Sequence, residues 1–167
     1  MVSRLSTARP IHTHLVFTLA ITLALTATAA HAIECRAIPT VQQSADADDN
    51  TKLGGHLTQH ILGMAPPPGT SQVGKTLFDS EGRWNSVWRQ YQYIANPVTC
   101  SGKQAQQRVS LADLNIRYLD AFSCKSADRN GRCTSWDAYL AKSVFFGFIL
   151  NAKGEWIINT AFPDPAP

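Results

Sequence analysis

The chain has 167 residues, with 15 lysines and arginines against 12 aspartates and glutamates, five histidines and four cysteines. That length leaves room for one domain with a proper core, not two. The near balance of charge excludes a strongly basic nucleic-acid coat or a polybasic membrane-surface protein. Residues 1–32 read as a secretory signal peptide: Arg4 and Arg9 precede an uncharged run from Leu15 to Ala30, and Ala30-His31-Ala32 is a small-x-small cleavage site. The run is short for a membrane span, which needs about 20 residues. Cleavage after Ala32 leaves 13 basic and 12 acidic side chains, two histidines (His56 and His60) and all four cysteines. An exported chain with an even cysteine count implies two disulfides. Of the three possible pairings, Cys124 with Cys133 across a short loop is the expected one, and Cys35 with Cys100 then completes the set; no C-x-x-C pair points to zinc.

Residues 36–51 are polar, with an acidic cluster at Asp46, Asp48 and Asp49, so 33–51 reads as an exposed lead-in to a single domain over 52–167. Leu53, Leu57, Ile61 and Met64 fall on one helical stripe, which Pro66-Pro67-Pro68-Gly69 ends. Val73 to Phe78 is a short extended candidate. Ser80 is placed to cap a second helix in which Trp84, Val87, Trp88, Tyr91 and Ile94 share a face, a spacing that makes the aromatics core residues rather than base-stacking platforms. Strands are expected at Gln107–Leu111, Asn115–Phe122, Val144–Leu150 and Glu155–Phe162, the last two joined by a turn at Asn151-Ala152-Lys153-Gly154. In the final strand, strict alternation puts Trp156, Ile158, Thr160 and Phe162 on one face and Ile157, Asn159 and Ala161 on the other. Helices first and antiparallel strands after define an α+β domain.

His56 and His60 sit four apart, which on a helix places both imidazoles on one face. Three readings compete. His-x-x-x-His is the spacing of a zincin, but Leu57 occupies the position of the glutamate base and no third histidine remains, so neither metal nor cofactor is expected. A second reading makes them two surface histidines without a role. The third is acid–base catalysis, in which one imidazole takes a proton and the other gives one. RNA cleavage without a metal needs those two roles and a cation for the phosphorane, and Lys75 with Thr76 supplies donors shortly downstream. Gly74-Lys75-Thr76 is not read as an ATP-binding P-loop, because no strand–helix unit of the βα kind surrounds it.

Leu53-Gly54-Gly55-His56-x-x-x-His60 resembles the GGH…H segment of bacterial toxin ribonucleases, the EndoU-like and RNase A-like domains of contact-dependent inhibition proteins. Gly74-Lys75-Thr76-x-Phe78 resembles the Lys-Thr-x-Phe element of the EndoU-like members, and Thr160-Ala161-Phe162-Pro163 their Thr-Ala-Tyr-Pro ending. The resemblance implies a barnase–EndoU–colicin–RelE type of fold, with N-terminal helices on a curved antiparallel sheet. It further implies metal-independent RNA cleavage, with His56 and His60 as the acid–base pair, Lys75 stabilising the phosphorane and Thr160 contacting phosphate or base. Gly55, Thr76 and Phe162 would contact substrate. The chain departs from the pattern in two places: many members space the histidines five apart, and Phe162 stands where tyrosine is usual, which leaves it stacking alone.

The expectation is therefore an exported, disulfide-stapled endoribonuclease of the toxin or effector kind, a monomer whose partners are RNA and a cognate immunity protein. The rival is a non-enzymatic periplasmic binding or inhibitor protein. That protein would use the disulfide loop with Arg129 and Arg132 and the aromatics Trp136 and Tyr139 at a protein interface. Geometry separates the two: the enzyme needs His56, Lys75 and Thr160 around one cleft.

Overall fold

In the computed structural model the described residues are 33–166, so the signal-peptide reading of residues 1–32 lies outside them. In chain order they form β1 (Ile33–Glu34), α1 (Pro39–Gln43), α2 (Ala47–Leu53), a 3-10 turn (Leu57–His60), β2 (Thr76–Phe78), α3 (Glu81–Tyr91), β3 (Thr99–Cys100), β4 (Gln104–Ser110), β5 (Asp120–Ala127), β6 (Cys133–Leu140), β7 (Ser143–Leu150) and β8 (Trp156–Asp164). The strands pair antiparallel in two three-stranded sheets, β2-β5-β6 and β4-β7-β8, with a small β1-β3 ribbon. This is a small single α+β domain, and both expected disulfides, Cys35–Cys100 and Cys124–Cys133, are formed. Among the described residues no helix is long and apolar enough to cross a membrane.

The stretch read as an exposed lead-in is part of the domain. Pro39 opens α1, and Asp46 caps α2 by accepting the Asp49 N–H at 2.9 Å. Val41, Ala45 and Ala47 are buried, and so are the polar Ser44 and Asn50. Composition misleads here because those two polar side chains bond to backbone rather than to water. Ser44 Oγ accepts the Ile158 N–H at 2.8 Å, and Asn50 Nδ2 donates to Ser44 O at 2.9 Å and Ile158 O at 2.7 Å.

No helix runs from Leu53 to Met64. Gly54 takes φ 96° and ends α2 in the left-handed conformation that glycine adopts without a Cβ penalty. The chain resumes in the short 3-10 turn, and Ile61 is extended and bridges Phe78. Leu57 and Ile61 are buried all the same, so the apolar spacing marks burial, not an α-helix.

The second helix forms as the cap predicts: Ser80 Oγ accepts the Arg83 N–H at 3.2 Å. Trp84, Trp88 and Tyr91 project onto Phe146 of β7, with the Tyr91 and Phe146 ring centres 4.2 Å apart, and Trp84 Nε1 donates to Ala45 O at 2.7 Å. These aromatics are the core. The stretch read as a strand over Asn115–Phe122 begins only at Asp120, because Asn115 turns the chain at φ 53° and Leu114 and Leu119 drop into the core. β6 has no counterpart in the sequence reading. It is an exposed edge strand, and with no buried face it shows no apolar alternation.

β8 carries the feature that aims the site. Phe148 lies opposite Ile158 and Gly147 opposite Thr160, so Asn159 is an extra residue, a bulge. The bulge reverses the expected alternation. Ile158 and Ala161 face the core, whereas Thr160 and Phe162 line the opposite side.

Candidate active site

A cleft of about 450 Å³ opens among the 3-10 turn, the segment leading into β2, and β8. His56, His60, Lys75, Thr76, Thr160 and Phe162 line it, together with Gln59, Gly74 and Asn159. Six of the seven residues singled out in the sequence thus meet on one surface. The seventh, Gly55, is buried away from the wall and explained by packing: a Cβ there would collide with the Asn50 carboxamide. Arg129 and Arg132 of the disulfide loop lie outside the cleft. Trp136 is exposed, while Tyr139 is half-buried and donates to Pro163 O at 2.8 Å.

The two histidines are held differently, and not on one helix face. His56 precedes the 3-10 turn and is exposed; its backbone N–H donates to the carbonyl of Asn159, which ties it to the bulge. Next to it, Asn50 Oδ1 accepts the Leu57 N–H at 2.9 Å, so one buried carboxamide joins α1, β8 and the histidine turn. His60 is 7% exposed, its Nδ1 lies 2.8 Å from Thr76 O, and its ring centre is 5.1 Å from that of Phe162. A carbonyl only accepts, so Nδ1 carries the proton and Nε2 keeps the free lone pair. Burial pushes the His60 pKa down to about 4, with the charges of Lys75 and His56 adding to the shift and the Thr76 hydrogen bond opposing it. The imidazole is therefore neutral at pH 7.

Lys75 is half-buried, and among the described residues no carboxylate pairs with it. Its loop is set by Gln72, a fully buried residue that no motif marks. Gln72 Nε2 donates to Thr58 O at 2.9 Å and Ile61 O at 2.8 Å, and its Oε1 accepts the Cys133 N–H at 2.9 Å. The Gln72 backbone accepts from Lys75 N–H and donates to Gly131 O, each at 2.9 Å. One glutamine thus fastens the histidine turn, the lysine loop and the β5–β6 hairpin together. Cys124, closed by its disulfide to Cys133, adds two backbone bonds to Gly74 and Lys75.

Two buried polar atoms on the β8 wall, Asn159 Oδ1 and Thr160 Oγ1, have no hydrogen-bond partner. Each such atom costs roughly 1–3 kcal/mol, a cost that a bound polar group can relieve after a small side-chain rotation. No group of three His, Cys, Asp or Glu side chains able to hold a metal occurs among the described residues. The chemical capacity of the cleft is then one neutral imidazole, a second accessible imidazole, an ammonium and two threonine hydroxyls. No family model, curated protein or solved structure matches this chain.

Proposed function

We propose that the protein is an exported endoribonuclease that cleaves RNA by transesterification without a metal. The observation that carries the reading is the convergence of His56, His60, Lys75 and Thr160, from three separate stretches of sequence, on one cleft. His60 Nε2, neutral and unbonded within the protein, takes the proton of a ribose 2′-hydroxyl as the 2′-oxygen attacks phosphorus. The bond from phosphorus to the 5′-oxygen breaks, and the His56 imidazolium gives that oxygen its proton. Lys75, with Thr76 and Thr160, holds the charge on the non-bridging oxygens. The products are a 2′,3′-cyclic phosphate and a free 5′-hydroxyl. Phe162 and its stacked neighbour Phe145, ring centres 4.8 Å apart, offer an apolar surface beside the reacting phosphate. Two disulfides favour an oxidising compartment, which agrees with export, and the family resemblance adds a protein inhibitor as partner.

The test is cleavage of a mixed-sequence RNA by the mature protein in EDTA, with end-group analysis of the products. Cyclic phosphate ends are expected, and His56→Ala and Lys75→Ala should each lower the rate by about 10²-fold or more. An inert wild type, or variants as active as wild type, ends the proposal.

A further inference from the structure

Beyond Thr160 the cleft continues into a smaller trough of about 110 Å³ on the same face of the β4-β7-β8 sheet. Register defines its walls. Gln104 and Gln106 of β4 stand opposite Ile149 and Gly147 of β7, and Gly147 stands opposite Thr160 of β8. Gly147 is what makes the trough: a Cβ there would lie 3.2 Å from both the Phe145 ring and the Thr160 methyl group, and would fill the floor. Asn159 and Thr160, which carry the two unpartnered polar atoms, line trough and cleft alike.

The trough and the cleft differ in charge. Lys75 and the histidines line the cleft, whereas every residue lining the trough is uncharged. A phosphate placed there would find no cation. A flat heterocycle would find an apolar floor at Gly147, the edge of Phe145, and carboxamides on both sides, from Gln106 and from Asn159. Carboxamides present a donor and an acceptor in one plane, the complement of a base edge. Gln104 and Gln106 are exposed, and neither is engaged by another side chain.

We propose that this trough is a nucleobase subsite, seating the base of one nucleotide that flanks the phosphate held in the cleft. The proposal rests on the ribonuclease reading for the identity of the strand. It assigns Gln106 and Gly147, which take no part in the chemistry, to substrate selection.

The experiment uses the mature protein and short 2′-O-methyl RNA strands with a single ribonucleotide, so that only one linkage can be cut. An abasic residue is placed on one side of that linkage or the other. One of the two positions should raise KM about tenfold with little change in kcat, and Gln106→Ala should erase most of that difference. Gly147→Val should act in the same direction by filling the floor. A fully 2′-O-methyl strand, followed by fluorescence anisotropy, gives a binding readout that needs no cleavage. Normal cleavage with no abasic effect at either position, or an abasic effect undiminished in Gln106→Ala, overturns the subsite alone. No cleavage, but abasic-sensitive binding that Gln106→Ala abolishes, overturns the ribonuclease reading and leaves the subsite standing. Neither cleavage nor base-dependent binding overturns both.

Discussion

His60 Nδ1 and the carbonyl oxygen of Thr76 are 2.8 Å apart, and this contact decides which nitrogen of the buried imidazole is left free. It fixes the tautomer with Nε2 as acceptor, and burial keeps that nitrogen unprotonated far below the usual range of histidine. In the proposed reaction, a base of this kind would be in its working form near neutrality.

The pH profile follows. The unfolded chain titrates His60 near 6.5 and the folded one near 4, so between those values the unfolded state binds more protons. Stability from this group is complete above pH 6.5, declines by about 3 kcal/mol as pH falls to 4, and levels below that. Denaturant midpoints of wild type and His60→Gln across this window should differ by that slope, with the wild type the more pH-sensitive. In kcat/KM, the acid limb assigned to the base should fall near pH 4, and an NMR titration of the His60 ring should report the same midpoint.

Gln72→Ala removes three hydrogen bonds and strands two backbone groups, the carbonyl of Thr58 and the N–H of Cys133, while the Ile61 carbonyl keeps the Met64 N–H at 3.3 Å. At about 1–3 kcal/mol for each unsatisfied group, the loss should reach at least about 2 kcal/mol in denaturant unfolding. Any cleavage activity should fall even where the variant is fully folded, because the lysine loop and the histidine turn share this anchor.

The two disulfides should divide stability and activity between them. Cys35–Cys100 closes a sequence separation of 65 residues and Cys124–Cys133 one of 9. Chain-entropy arithmetic gives about 4 kcal/mol for the first and about 2.5 kcal/mol for the second. The alanine pair at Cys35 and Cys100 should therefore unfold more easily yet cleave normally while folded. The pair at Cys124 and Cys133 should lose less stability and more activity, since Cys124 backbone atoms hold Gly74 and Lys75. Thermal melts and initial rates on the same preparations check both halves.

Gly55→Ala should destabilise the fold by about 1–3 kcal/mol, as an overpacked site does, because the new methyl group meets Asn50. KM for RNA should be unchanged at temperatures where the variant is folded. A rise in KM without a loss of stability would instead make Gly55 a substrate contact.

The sequence carried the α+β order, the Ser80 cap, the β7–β8 hairpin and both disulfide pairs, because each rests on local periodicity, turn chemistry or loop length. Six cleft residues were legible as short motifs. What escaped had no local signature. β6 is exposed on an edge, so nothing patterns it. Ser44, Asn50 and Gln72 look like surface residues in sequence and are buried, because their partners are backbone groups distant in the chain. The histidine turn reads as a helix because burial at Leu57 and Ile61 imitates helical spacing while Gly54 ends the true helix.

The bulge at Asn159 has a consequence for separating scaffold from site. Every pairing of β7 with β8 is satisfied without that residue, since Ile158 and Thr160 already meet their partners. Asn159 is surplus to the ladder, yet its carbonyl anchors His56 and its side chain lines the cleft. A chain one residue shorter at this point keeps its sheet in register and loses the hold on a histidine. The scaffold and the site therefore meet at a residue that only the site requires.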